Sequence, residues 1–186
     1  MTCIVGLETK DGIIMGADSG AVSGWSIYAT RLRKVFRTNG FLIGYTSSFR
    51  MGQILQYELE VEEQKRKQSD LEYLATTFVD AVRECLGDGG FKQVKEEKDI
   101  GGQFLVGYRG KLYEVHSDFQ VNSSMDGYMS VGCGGDFALG NMWNSKKLLP
   151  KTRVTQALKA ATHFSACVCG PYNILTMKYK KNPPLR

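Results

Sequence analysis

Residues 1–20 read MTCIVGLETKDGIIMGADSG. Two apolar runs, TCIVGL and GIIMGAD, flank the polar ETKD and Gly12, a pattern that predicts a β-hairpin. The hairpin carries Thr2 directly behind the first methionine and Asp18 at the end of its second strand. Chain termini usually fray. This one turns apolar at once, so it is expected to be built into a sheet.

The rest of the chain alternates between strand and helix periods. KVFR and GFLIGYT predict a second hairpin around Thr38, Asn39 and Gly40, giving four early strands. From Phe49 the spacing of Met51, Ile54, Leu55, Tyr57 and Leu59 predicts a helix running into the charged EVEEQKRKQ. Ser69 and Glu72 form a capping box for a second helix, whose apolar face is Leu71, Leu74, Ala75, Phe78, Val79, Val82 and Leu86. GDGG at 87–90 ends it. KQVKEEKD at 92–99 is read as an exposed loop. GQFLVGY and KLYEVH form a hairpin across Arg109 and Gly110, and YMSVG adds a strand. DFALGNMWN and, after Pro150, TRVTQALKAATHF predict two further helices, and PYNILTM a closing strand. Helices covering antiparallel sheets in layers are the expected arrangement.

At 186 residues, the chain is expected to form one domain over 1–186, large enough to bury a core without disulfides or metal staples. The first residues lack a basic, apolar leader pattern, and no apolar run is long enough to span a bilayer. A cytoplasmic protein is expected, with no membrane partner. Cys3, Cys85, Cys133, Cys167 and Cys169 are odd in number and without framework spacing, which suits reduced thiols. The net charge of +5 is mild and dispersed, and no stacking motif or recognition-helix pattern accompanies it, so no nucleic-acid partner is expected.

Thr2, KDG (10–12), GAD (16–18) and RKVF (33–36) together resemble the opening of the N-terminal-nucleophile hydrolases of the proteasome β-subunit and HslV type. In that family a processed threonine begins an apolar strand, a second strand ends in Ala-Asp or Gly-Asp, and a lysine precedes a third. FLIGYT resembles the family's oxyanion strand, and VGCGGDFALG its Gly-Ser-Gly segment opening a helix. The resemblance spans nearly the whole chain and is most specific in the first half. It implies an α+β fold, a four-layer αββα sandwich.

The chemistry follows from residue types. A threonine hydroxyl needs a base, and a free α-amino group with a pKa of about 7.7–8.0 is tuned for the task at neutral pH. Thr2 would supply both groups once Met1 is removed. A buried Lys34 ammonium near the hydroxyl would favour its deprotonated form, and Asp18 would hold the lysine. The resemblance points to the backbone N–H of Gly44 as oxyanion donor, with Tyr45 as the alternative one residue on. Cys133 stands where the family's supporting serine is usual, and Cys169 stands at a later serine position, with no acid beside it. Taken singly, each residue has a plainer reading: an incidental threonine, a strand-ending aspartate, a surface lysine, a packing glycine. Only their joint spacing outweighs those readings.

Other constellations are weaker. His163, Cys167 and Cys169 form H-x3-C-x-C, but without a fourth ligand they read as buried thiols rather than a zinc site. Cys3 could act only if Thr2 were also lost. His116 and Asp118 read as a strand-end pair, and VGCGG lacks a phosphate-loop lysine. No metal or organic cofactor is implied. The expected activity is that of a threonine peptidase or amidohydrolase in a homo-oligomeric ring or stacked rings, acting on a polypeptide or amide substrate, with room for an ATP-dependent unfoldase. The alternatives are a silent assembly protein and a small-molecule amidohydrolase on the same fold.

Overall fold

The computed structural model describes residues 1–91, 93–95 and 98–179. Strands β1 (Ile4–Thr9), β2 (Gly12–Ala17), β12 (Tyr128–Val131) and β13 (Asn173–Lys178) form a four-stranded antiparallel sheet, ordered β12-β1-β2-β13. A second antiparallel sheet is ordered β11-β10-β9-β6-β5, from β5 (Val35–Thr38), β6 (Phe41–Tyr45), β9 (Phe104–Tyr108), β10 (Lys111–Val115) and β11 (Val121–Ser123). Helices α1 (Phe49–Tyr57), α2 (Asp70–Tyr73) and α3 (Val79–Asp88) cover the five-stranded sheet; α4 (Gly135–Asn144) and α5 (Pro150–Phe164) cover the four-stranded one. The result is a helix–sheet–sheet–helix sandwich of α+β class.

Alternation along the strands builds the three cores. On β1 and β2, Ile4, Ile13, Met15 and Ala17 meet Val35, Leu42, Leu105 and Leu112 between the sheets. Cys3, Val5, Leu7 and Ile14 point the other way, onto Val154, Ala157, Leu158 and Ala161 of α5. Phe41, Ile43 and Tyr45 on β6 face Met51, Ile54 and Leu55 of α1. Two tight hairpins turn on left-handed pairs, Asn39 (φ 45°) with Gly40 (φ 81°) and Arg109 (φ 46°) with Gly110 (φ 81°), the type I′ signature.

Several expectations are corrected. The early chain has six strands, because β3 (Gly20–Ser23) and β4 (Ser26–Ala29) pair as a ribbon of their own. Residues 92–99 are not simply a loop: β7 (Gln93–Lys95) pairs with β8 (Lys98–Ile100), while 92, 96 and 97 lie outside the described residues. The α1 helix stops at Tyr57 instead of running into the charged stretch. Leu59 is buried from a non-helical segment, fixed by Asn39 Nδ2 donating to its carbonyl at 2.5 Å. The capping box at Ser69 and Glu72 is present, but Leu74–Phe78 is a π-helical turn between α2 and α3. The wider turn rotates the apolar face, so Leu71 and Ala75 are exposed while Tyr73 and Leu74 are buried.

Candidate active site

Thr2 precedes β1 and is 4% exposed beneath Met1, which is 56% exposed. The loop Gly132-Cys133-Gly134 holds it. The Thr2 carbonyl accepts from the Gly134 N–H at 3.3 Å and from the Cys133 thiol at 3.5 Å. Gly132 has φ 95°, and a Cβ there would overlap the Thr2 carbonyl oxygen, so this position requires glycine. The Thr2 N–H donates to Cys133 Sγ at 3.3 Å, and the Ser165 hydroxyl donates to the same sulfur at 3.7 Å. With Met1 attached the Thr2 nitrogen is an amide, and the Thr2 hydroxyl donates to the Met1 carbonyl at 2.5 Å.

Beside Cys3 lies a buried ion pair. Lys34 Nζ stands 2.9 Å from Asp18 Oδ1, and the two side chains are 1% and 0% exposed. The same Oδ1 accepts the Cys3 N–H at 3.0 Å, which ties the ammonium to the residue following Thr2. Oδ2 accepts from Gly20 N–H at 2.7 Å and Cys169 N–H at 3.5 Å. These donors, with the lysine, satisfy both oxygens of a carboxylate that has no contact with water. The Phe49 ring lies 5.7 Å from the ammonium, within cation–π range.

A narrow cleft of about 30 Å³ reaches Thr2, walled by Tyr45, Thr46, Ser47, Ser48 and Phe49. Gly44 does not belong to it. It sits mid-strand in β6, opposite Val35 on one side and Leu105 on the other. A Cβ there would lie 2.5 Å from Met15 Sδ and 2.6 Å from Ile4 Cγ2, so this glycine lets the two sheets approach. The Tyr45 N–H is used as well, donating to the Lys34 carbonyl at 3.0 Å, and the Thr46 N–H donates to Gln103 at 3.1 Å. Ser47 follows with φ 71°, and among the described residues its N–H has no acceptor. Ser47 and Ser165 were not legible in the sequence. Ser47 carries no glycine to mark its left-handed backbone, and Ser165 meets Cys133 only through tertiary folding.

The remaining candidates fall elsewhere. Burial first, and then Asp18, push the Cys3 thiol up to about 12 despite its contact with Ser130, so it is a core side chain at neutral pH. Burial also raises Cys169, whose backbone carbonyl accepts the Ser19 N–H at 2.9 Å. His116 Nε2 lies 3.6 Å from Glu114. Among the described residues no cluster of three or more His, Cys, Asp or Glu is placed to hold a metal ion. Among them, too, no helix is long and apolar enough to cross a membrane.

The chain belongs to the proteasome subunit family, whose family model matches residues 1–164. No curated protein matches it by sequence. Among solved structures, Thiobacillus denitrificans BPH superposes with TM-score 0.78 at 16% identity, over 97% of this chain and 100% of that one. Eukaryotic HslV from Trypanosoma brucei gives 0.67 at 15%, over 96% and 100%. A Gly-1 mutant of Anbu from Hyphomicrobium sp. strain MC1 gives 0.66 at 16%, over 96% and 82%. These three structures share the fold of this chain.

Proposed function

We infer that the chain is a threonine peptidase or amidohydrolase whose nucleophile is Thr2 after loss of Met1. The observation that carries this reading is Cys133 at the Thr2 nitrogen, together with the buried Asp18–Lys34 pair held through Asp18 to the N–H of the next residue, Cys3. The freed amine takes the hydroxyl proton, and Lys34 favours the resulting alkoxide. The oxygen attacks the substrate carbonyl carbon. The Ser47 N–H, in place of Gly44, is the donor available to the developing oxyanion. Collapse expels the leaving amine, which takes the proton from the Thr2 ammonium, and leaves an ester on Thr2. Water then attacks that ester, giving the acid and regenerating the hydroxyl. No metal or organic cofactor enters.

One of the solved BPH structures is a complex with epoxomicin, which makes an epoxyketone a suitable probe for this chain. A ring of identical subunits enclosing the site is part of the reading. It is supported by exposed Phe137 and Trp143 on α4, Leu149 at the N-cap of α5 and Phe164 at its end, with Phe137 and Phe164 stacked at 5.5 Å. The test is turnover of a blocked fluorogenic peptide amide. Thr2→Ala should abolish it and Thr2→Ser should retain part of it. Wild-type turnover in Thr2→Ala would overturn the reading.

A further inference from the structure

Next to the Thr2 cleft opens a larger cavity of about 310 Å³, and Tyr45 lines both. Helix α1 connects them: Phe49 stands at the cleft, Gln53 lies one turn further on in the cavity wall, and Gln56 and Tyr57 lie a turn beyond that. Arg31 and Arg33, both exposed and immediately before the buried Lys34, line the cavity as well.

The chemistry of this lining is one-sided. Among the described residues neither arginine has a carboxylate partner, and no Asp or Glu lines the cavity. Its polar groups are two guanidiniums, two carboxamides and two phenols, which can present about sixteen N–H or O–H donors, about ten of them from the guanidiniums. Burial, with a smaller contribution from Tyr57, pushes the Tyr45 phenol up to about 12, so it remains a donor at neutral pH. A second cavity of comparable size is walled by Glu60, Glu62, Asp80 and Glu84 and would repel the same anion.

We propose that this cavity receives the substrate side chain next to the cleaved bond and selects an acidic one, glutamate or aspartate, through Arg31 and Arg33. The proposal rests on the reading of Thr2 as nucleophile only for its link to cleavage; the recognition itself does not need a reacting Thr2. Paired guanidiniums with phenol and amide donors match a carboxylate in charge and in bonding geometry. A neutral glutamine side chain would place its own N–H groups among donors.

The test is calorimetric binding of two N-acetylated tripeptide acids that end in glutamate or in glutamine. Both carry the same terminal carboxylate, so their difference reads the side chain alone. The glutamate peptide should bind about tenfold more tightly, and more weakly at high salt. Arg31→Ser with Arg33→Ser should erase that difference while leaving a leucine-ended tripeptide unchanged. Equal binding of the two peptides by the wild-type protein, or discrimination that survives in the double variant, overturns the proposal. Discrimination by a protein that hydrolyses no amide would uphold the pocket and contradict the nucleophile, so the two failures are distinct.

Discussion

At Cys133 the side chain expected to steady the N-terminal amine is a thiol, a weaker partner than a hydroxyl. Ser165 compensates by donating to the same sulfur. Cys133→Ser should therefore keep or raise turnover, whereas Cys133→Val, which removes both bonds to Thr2, should cost about 1 kcal/mol and lower kcat/KM about fivefold. Steady-state kinetics on the two variants checks this. Lys34 and Asp18 behave differently because neither reaches water. Lys34→Ala should destabilise the fold by about 3–5 kcal/mol by leaving a buried carboxylate uncompensated. Adding Asp18→Asn should recover part of that loss, and urea titration of the single and double variants measures the coupling. Thr2, Asp18 and Lys34 could be singled out as candidates in the sequence by their identity and spacing along hairpins, and Cys133 by its Gly-Cys-Gly segment before a helix. Gly44 was misplaced because a packing glycine and a donor glycine look alike until the strand register is known.

Among the elements, α1 links cleft to cavity, and its N-cap controls its start. Ser48 accepts the Arg50 N–H at 3.1 Å and the Met51 N–H at 3.5 Å. Ser48→Ala should cost about 1 kcal/mol, read as a lowered Tm, and should raise KM more than it lowers kcat. The β1–β2 hairpin, the hairpins at Asn39-Gly40 and Arg109-Gly110 and the Ser69 capping box were readable because each depends on residues within a few positions. The β3–β4 ribbon was not, since β4 is exposed along its whole length and lacks the alternation that burial imposes. The π-helical turn at Leu74–Phe78 was equally hidden. Residue composition there fits an ordinary helix, and only packing against Phe41 and Phe104 reveals the rotated face.

For the whole molecule, the sandwich buries groups that are neutral only while protonated. Burial raises Cys3 from 9.0 to about 12, and Tyr45, Tyr73 and Tyr113 each from 10.0 to about 12. The folded state keeps these protons where the unfolded chain has lost them. Their stabilisation is thus fully present below about pH 9 and disappears as pH rises toward 12. Denaturation followed by circular dichroism should show stability falling across that window, and a flat profile would contradict the burial. Assembly belongs to this scale too: Leu149→Asp with Phe164→Asp should reduce the sedimenting mass while leaving the subunit fold intact.

The central claim is that Thr2 becomes a free N-terminal nucleophile, and intact mass spectrometry of native protein before and after an epoxyketone tests it most directly, because the warhead needs both an amine and its neighbouring hydroxyl. The account predicts a mass lacking Met1 and one adduct per chain, mapped to Thr2. A chain that retains Met1 and takes up no adduct would contradict it and leave a proteasome-like shell without this chemistry.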